Sequence, residues 1–126
     1  MPVITYEGAT LSLAQKEQLI QHLTDAAARI MGIDTKFYYV YLKELSPNVL
    51  IASTSFLDTI HHTVTYESTA YTGNQKYELV KAFKTVLSKV LVADSKSVSV
   101  YLRENSLDNV GVGGITLRKF QEIHSK

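Results

Sequence analysis

The chain has 126 residues, 45% hydrophobic and 20% charged, with a formal charge of +1. That balance gives no electrostatic reason to expect nucleic acid or an anionic membrane as a partner, and no apolar run reaches the roughly 18 residues of a spanning helix. The absence of cysteine excludes disulfides, thiolate nucleophiles and Cys-ligated metal sites. His22, His61, His62 and His124 have no metal-site spacing, so neither a metal nor a cofactor is expected. The N-terminus lacks the basic flank and apolar core of a secretory signal. We therefore read a cytoplasmic protein folded as one domain over residues 1–126.

The first predicted element is a short strand, Val3 to Tyr6, rich in β-branched and aromatic residues. Ser12 and Gln15 have the spacing of a capping box and open a helix whose apolar stripe is Leu19, Ile20, Leu23, Ala27 and Ile30. A second strand is predicted from Phe37 to Leu42. The connection over residues 47–62 carries Val49, Leu50, Ile51, Phe56, Leu57 and Ile60, too apolar a set for a free linker. His61 and His62 fall at its end, where a solvated or hydrogen-bonded loop role is expected.

A third strand, Val64 to Tyr66, is followed by a second capping box at Thr72 and Gln75, and by a helix with the stripe Leu79, Val80, Phe83, Val86, Leu87, Val90 and Leu91. A fourth strand runs from Val98 to Leu102. Gly111-Val112-Gly113-Gly114 reads as a tight turn or hairpin, and in the tail over 115–126 Leu117, Phe120 and Ile123 share one helical face.

Two halves of this series are copies. A shift of 60 positions superposes residues 2–54 on 62–114 without a gap, with Thr5-Tyr6-Glu7 on Thr65-Tyr66-Glu67, Val40-Tyr41-Leu42 on Val100-Tyr101-Leu102, and Glu44 on Glu104. Duplication of one β-α-β unit accounts for this. Each unit joins two strands through a helix, so its strands should be parallel with a right-handed crossover. The expected fold class is α+β: a four-stranded sheet with two helices on one face. The other face, rich in Tyr and Val, should be covered by further subunits, which makes the protein oligomeric. Tyr6 and Tyr66, preserved in both units, are expected to pack rather than react.

Met-Pro at the start, the strand to Tyr6, Glu7-Gly8, Gln15-Lys16-x-x-Leu19-Ile20, strands ending at Glu44 and Glu104, and the closing Gly-Val-Gly-Gly together resemble the 4-oxalocrotonate tautomerase family, in particular its fused members. The resemblance spans residues 2–114. It implies a homotrimer of fused chains, a small-molecule substrate, and an N-terminal proline acting as general acid or base on a keto–enol or 2-hydroxyalkenoate compound. Removal of Met1 would leave Pro2 as a secondary amine. Such an amine transfers protons near neutral pH when it is largely unprotonated, and burial at the start of a strand favours the neutral form. His62 holds the equivalent place in the second unit, so at most one such amine exists per chain.

Departures from the family pattern bear on substrate. The second-strand arginine aligns with Tyr39 and Ser99, residues 8–14 and 68–74 hold no Arg or Lys, and an aromatic beside the proline aligns with Val110. An arginine clamp for a diacid is not replaced by these groups. Tyr39, Tyr101, Tyr71 and Arg103 remain as substrate-binding candidates, Arg103 for a monoacid or a polarised carbonyl. The alternative reading is a non-catalytic ligand-binding or structural module of βαββαβ type.

Overall fold

The computed structural model describes residues 2–45, 61–69, 71–91 and 98–124. The strands are β1 (Val3–Gly8), β2 (Tyr39–Glu44), β3 (His62–Ser68), β4 (Val98–Glu104), β5 (Gly111–Val112) and β6 (Ile115–Thr116), and the helices are α1 (Leu13–Met31), α2 (Gly73–Leu91) and α3 (Leu117–His124). The expected connection over 47–62 lies outside the described residues except for its last two.

The main sheet has the order β2-β1-β3-β4. Each β-α-β unit pairs its own strands in parallel, and the units meet through an antiparallel β1–β3 pair at the centre. Side chains alternate along a strand, so Ile4 and Tyr6 of β1 and Val64 and Tyr66 of β3 point to the helices and are fully buried. Over them lie Leu19, Leu23 and Ala27 of α1 and their repeat equivalents Leu79, Phe83 and Leu87 of α2, all fully buried. These positions are spaced by four, one narrow row per helix. Ile20 and Val80 are 43% and 41% exposed, because one residue further on turns the side chain about 100° away from that row. Each large core side chain contributes on the order of 2 kcal/mol.

Local sequence sets the ends of these elements in the same way twice. The Ser12 hydroxyl accepts from Gln15 N–H while the Gln15 side chain accepts from Ser12 N–H, and Thr72 and Gln75 repeat the exchange. Gly32, left-handed at φ 69°, closes α1. Leu11 N–H donates to Glu44 Oε1 at 3.0 Å, and Tyr71 N–H donates to Glu104 Oε1 at 3.1 Å, so each unit's outer strand ties down the loop before its helix. The second strand begins at Tyr39 rather than Phe37. Asp34 Oδ1 accepts from Lys36 N–H at 3.0 Å and holds Thr35–Phe37 in a 3-10 turn.

Candidate active site

In the central pair Thr5 lies opposite Thr65, its equivalent under the 60-residue shift. A local two-fold therefore passes between them and exchanges the two ends of the β1–β3 pair. One step beyond the paired Val3 and Glu67 lie Pro2 and Ser68. One step beyond Glu7 and Thr63, at the opposite end, lie Gly8 and His62.

Pro2 is buried, and its carbonyl accepts from Tyr39 N–H at 3.2 Å, extending the β1–β2 ladder back to the proline. A cavity of about 320 Å³ opens at this end of the sheet. Its apolar wall includes Val3, Val110 and Leu117, and its polar wall is Glu67, Ser68, Thr69, Asn105 and Asn109. The loop after β4 is fixed by Asn105 N–H donating to the Ser68 carbonyl at 2.8 Å, and α3 is tied to it by Leu117 N–H donating to the Val110 carbonyl at 2.8 Å. Gly113 and Gly114, at φ 63° and 87°, make the β5–β6 hairpin that returns the chain to this wall. The expected hairpin and terminal helix are thus present, and they shape the cavity.

Behind this end lies a group of aromatic side chains. Tyr66 packs against Phe83, Tyr71 and Tyr38 with ring centres 5.9, 5.9 and 6.4 Å apart. The buried hydroxyls of Tyr38, Tyr66 and Tyr71 have no well-formed hydrogen bond among the described residues, although the Tyr66 hydroxyl lies beside those of Tyr38 and Ser68. Burial pushes the Tyr71 hydroxyl up to about 12, with the Glu104 carboxylate adding to it. Burial raises Tyr38 and Tyr66 as well. These phenols are therefore neutral at physiological pH.

The His62 end is filled instead. His62 is 8% exposed and belongs to β3, not to a loop as expected, because the β3–β4 pairing extends to His62 opposite Val98. Its ring stacks on Tyr6 at 6.2 Å. The Tyr6 hydroxyl donates to the Ala9 carbonyl at 3.0 Å, which leaves its oxygen to accept from His62 Nδ1 at 3.2 Å. Burial first, and the neighbouring His61 second, hold the His62 imidazole below its ordinary 6.5. A Cβ on Gly8 would sit 2.7 Å from His62 Nδ1 and 2.8 Å from the Tyr6 hydroxyl, so this end has no room for a ligand.

None of the other candidates named from sequence lines this cavity within one chain. Tyr71 is 8% exposed and belongs to the core. Its ring stands edge-on to Tyr66 at 5.9 Å, with Lys76 Nζ 5.5 Å over its face. Tyr39 and Tyr101 lie on the sheet face away from the helices, 54% and 57% exposed. Arg103 shares that face and pairs with Glu67, Nη1 to Oε1 at 3.6 Å. Tyr101, Arg103, Lys43, Glu7 and Glu67 line a groove of about 400 Å³ there. Glu67 borders both groove and cavity. Sequence reading passed over it, yet its signal was present: in a strand of period two, Glu67 must face opposite to buried Tyr66.

No protein-family profile and no curated protein matches the sequence. Solved structures match its fold closely. Pt0534, solved after inactivation by 2-oxo-3-pentynoate, superposes with a TM-score of 0.84 at 22% identity over 94% of this chain and 98% of that one. F6, a fused 4-OT solved as an asymmetric trimer, gives 0.80 at 23% identity over 94% and 98%. The macrophage migration inhibitory factor of Toxoplasma gondii gives 0.76 at 14% identity over 90% and 98%. The chain thus has the fold of the fused 4-OT proteins.

Proposed function

We propose that this protein is a keto–enol tautomerase in which Pro2, freed by removal of Met1, is the general acid and base. The observation that carries this reading is the placement of a buried Pro2 at the head of the central strand β1, at the sheet end where the 320 Å³ cavity opens. The proline nitrogen would take a proton from the substrate carbon or hydroxyl and return it one position along the conjugated system. Burial favours the neutral amine that this requires. The same fold in a protein inactivated by an acetylenic oxo acid supports the reading.

The exposed tyrosine face, with Tyr39, Tyr41 and Tyr101, is proposed as the surface on which further copies pack into a homotrimer; fused 4-OT proteins of this fold are trimers. Assembly would bring the exposed Tyr39 and Tyr101 of one copy toward another copy's cavity, with Arg103 remaining paired to Glu67 of its own chain. Light scattering tests the assembly, and a monomer at micromolar concentration overturns it.

Intact-mass measurement should find the chain without Met1. The catalytic test is a panel of keto–enol pairs, phenylenolpyruvate and 2-hydroxymuconate together with uncharged enols, assayed against wild type and Pro2→Ala. Rate enhancement that disappears in Pro2→Ala is expected. No enhancement with any member, or equal activity in the variant, overturns the proposal.

A further inference from the structure

The cavity at the Pro2 end has an unusual charge for a site that would bind an acid. Among the described residues its lining includes no Lys, Arg or His. The one charged group among them is the Glu67 carboxylate, and the donors are the neutral amides of Asn105 and Asn109 and the hydroxyls of Ser68 and Thr69. The cation nearest in the sheet, Arg103, stands opposite Glu67 in the β3–β4 register and is held by the 3.6 Å ion pair with Glu67. That pair directs the guanidinium to the open-face groove and away from the cavity. The second oxygen of Glu67 accepts from the Asn105 side-chain amide at 3.5 Å, which fixes the carboxylate on the cavity wall.

We propose that the Pro2 cavity selects an uncharged carbonyl compound with hydrogen-bonding oxygens over a 2-oxo acid, and that Glu67 sets this selection. Two effects act in the same direction. A substrate carboxylate would enter beside the Glu67 carboxylate and be repelled, and the two described cations nearest the cavity are each paired already, Arg103 with Glu67 and Arg118 with Asp108. A neutral enol or enone loses nothing to Glu67 and can accept from Asn105, Asn109, Ser68 or Thr69. The inference rests on the Pro2 reading, and the experiment separates the two.

Two acetylenic probes of matched shape serve: 2-oxo-3-pentynoate, an anion, and 3-pentyn-2-one, in which methyl replaces the carboxylate. In both, the prolyl nitrogen forms a bond to the alkyne carbon β to the carbonyl, one alkyne π bond breaks, and the proton leaving nitrogen ends on the α-carbon. The adduct therefore has the mass of protein plus intact probe. Labelling of the N-terminal peptide is followed by mass spectrometry in the Met-free full chain. Each rate is divided by that of a free Pro-Val-Ile-Thr peptide, which removes intrinsic reactivity.

The normalised rate should be about tenfold higher for the ynone, and Glu67→Gln should narrow that ratio about tenfold by raising the oxo-acid rate. Asn109→Asp, which places a second carboxylate on the wall, should widen it and serves if Glu67→Gln does not fold. An oxo acid that labels as fast as the ynone overturns the selection, as does a ratio unmoved by every folded variant. Absence of any adduct at Pro2 with both probes overturns the Pro2 reading itself.

Discussion

The two ends of the β1–β3 pair began as copies and now do opposite things. At one end His62 fills the space above Tyr6 and satisfies its hydroxyl oxygen at 3.2 Å, and Gly8 is required because a Cβ there would meet both side chains within 3 Å. At the other end Pro2 stands where the imidazole would be, Ser68 stands where Gly8 would be, and a cavity of about 320 Å³ is lined by Ser68 and by Val3, the residue next to Pro2. The Tyr66 hydroxyl, equivalent to that of Tyr6, is left without a well-formed partner among the described residues. Duplication supplied the scaffold twice, and one side-chain volume decided which copy stayed open.

The largest expected effect that tests this contrast is on activity. Pro2→Ala should lower kcat/KM by about 10²–10⁴-fold, the usual contribution of a general acid or base. His62→Gln should change it by less than about threefold, since His62 only fills the closed end. Steady-state kinetics on the responding substrate checks both, and an equal loss in the two variants would break the distinction.

Stability comes next. Gly8→Ala should cost about 1–3 kcal/mol through overpacking, whereas Ser68→Ala should cost less than about 1 kcal/mol. In a His62→Ala background the cost of Gly8→Ala should fall, because the imidazole contact is gone, but not vanish, because the Tyr6 hydroxyl still lies 2.8 Å from the added Cβ. Denaturant unfolding at one fixed protein concentration measures these differences with the contribution from assembly held constant.

A smaller effect concerns pH. His62 is held below its ordinary 6.5 by burial and then by His61, so the folded state binds its proton less readily than the unfolded chain. The stability contributed by neutral His62 is fully present above about 6.5, the unfolded value, and is lost as pH falls through the lower folded value. The gap in stability between wild type and His62→Gln should therefore shift against wild type on acidification. A gap independent of pH between 7 and 5 would show that the ring is protonated equally in both states.

Tyr71→Phe should have the smallest effect. It removes a buried hydroxyl with no partner among the described residues, so stability should change by less than about 0.5 kcal/mol or rise slightly. Activity should be retained. A large loss of kcat/KM would return Tyr71 to the substrate site.

Much of the scaffold was legible because its signals are local. The capping boxes at Ser12 and Thr72, the rows of apolar residues every fourth position in α1 and α2, and the glycines of the closing hairpin each act within a few residues of chain, so spacing alone reveals them. The site was less legible for the same reason. Tyr71 resembled a loop hydroxyl until its ring packed edge-on against Tyr66 of β3, and His62 resembled a loop residue until the β3–β4 register included it. Glu67 read as half of a repeated Thr-Tyr-Glu, with nothing nearby in sequence to place it on a cavity wall.

By itself, then, the sequence determined a duplicated β-α-β chain with one proline and one histidine at matching positions. Periodicity and capping are encoded in neighbouring residues. Tertiary structure alone decided that β1 and β3 would pair antiparallel through Thr5 and Thr65, that one matching end would close on His62, and that Arg103 would pair with Glu67 on the open face. Those outcomes depend on which distant side chains meet and on the volume each one fills.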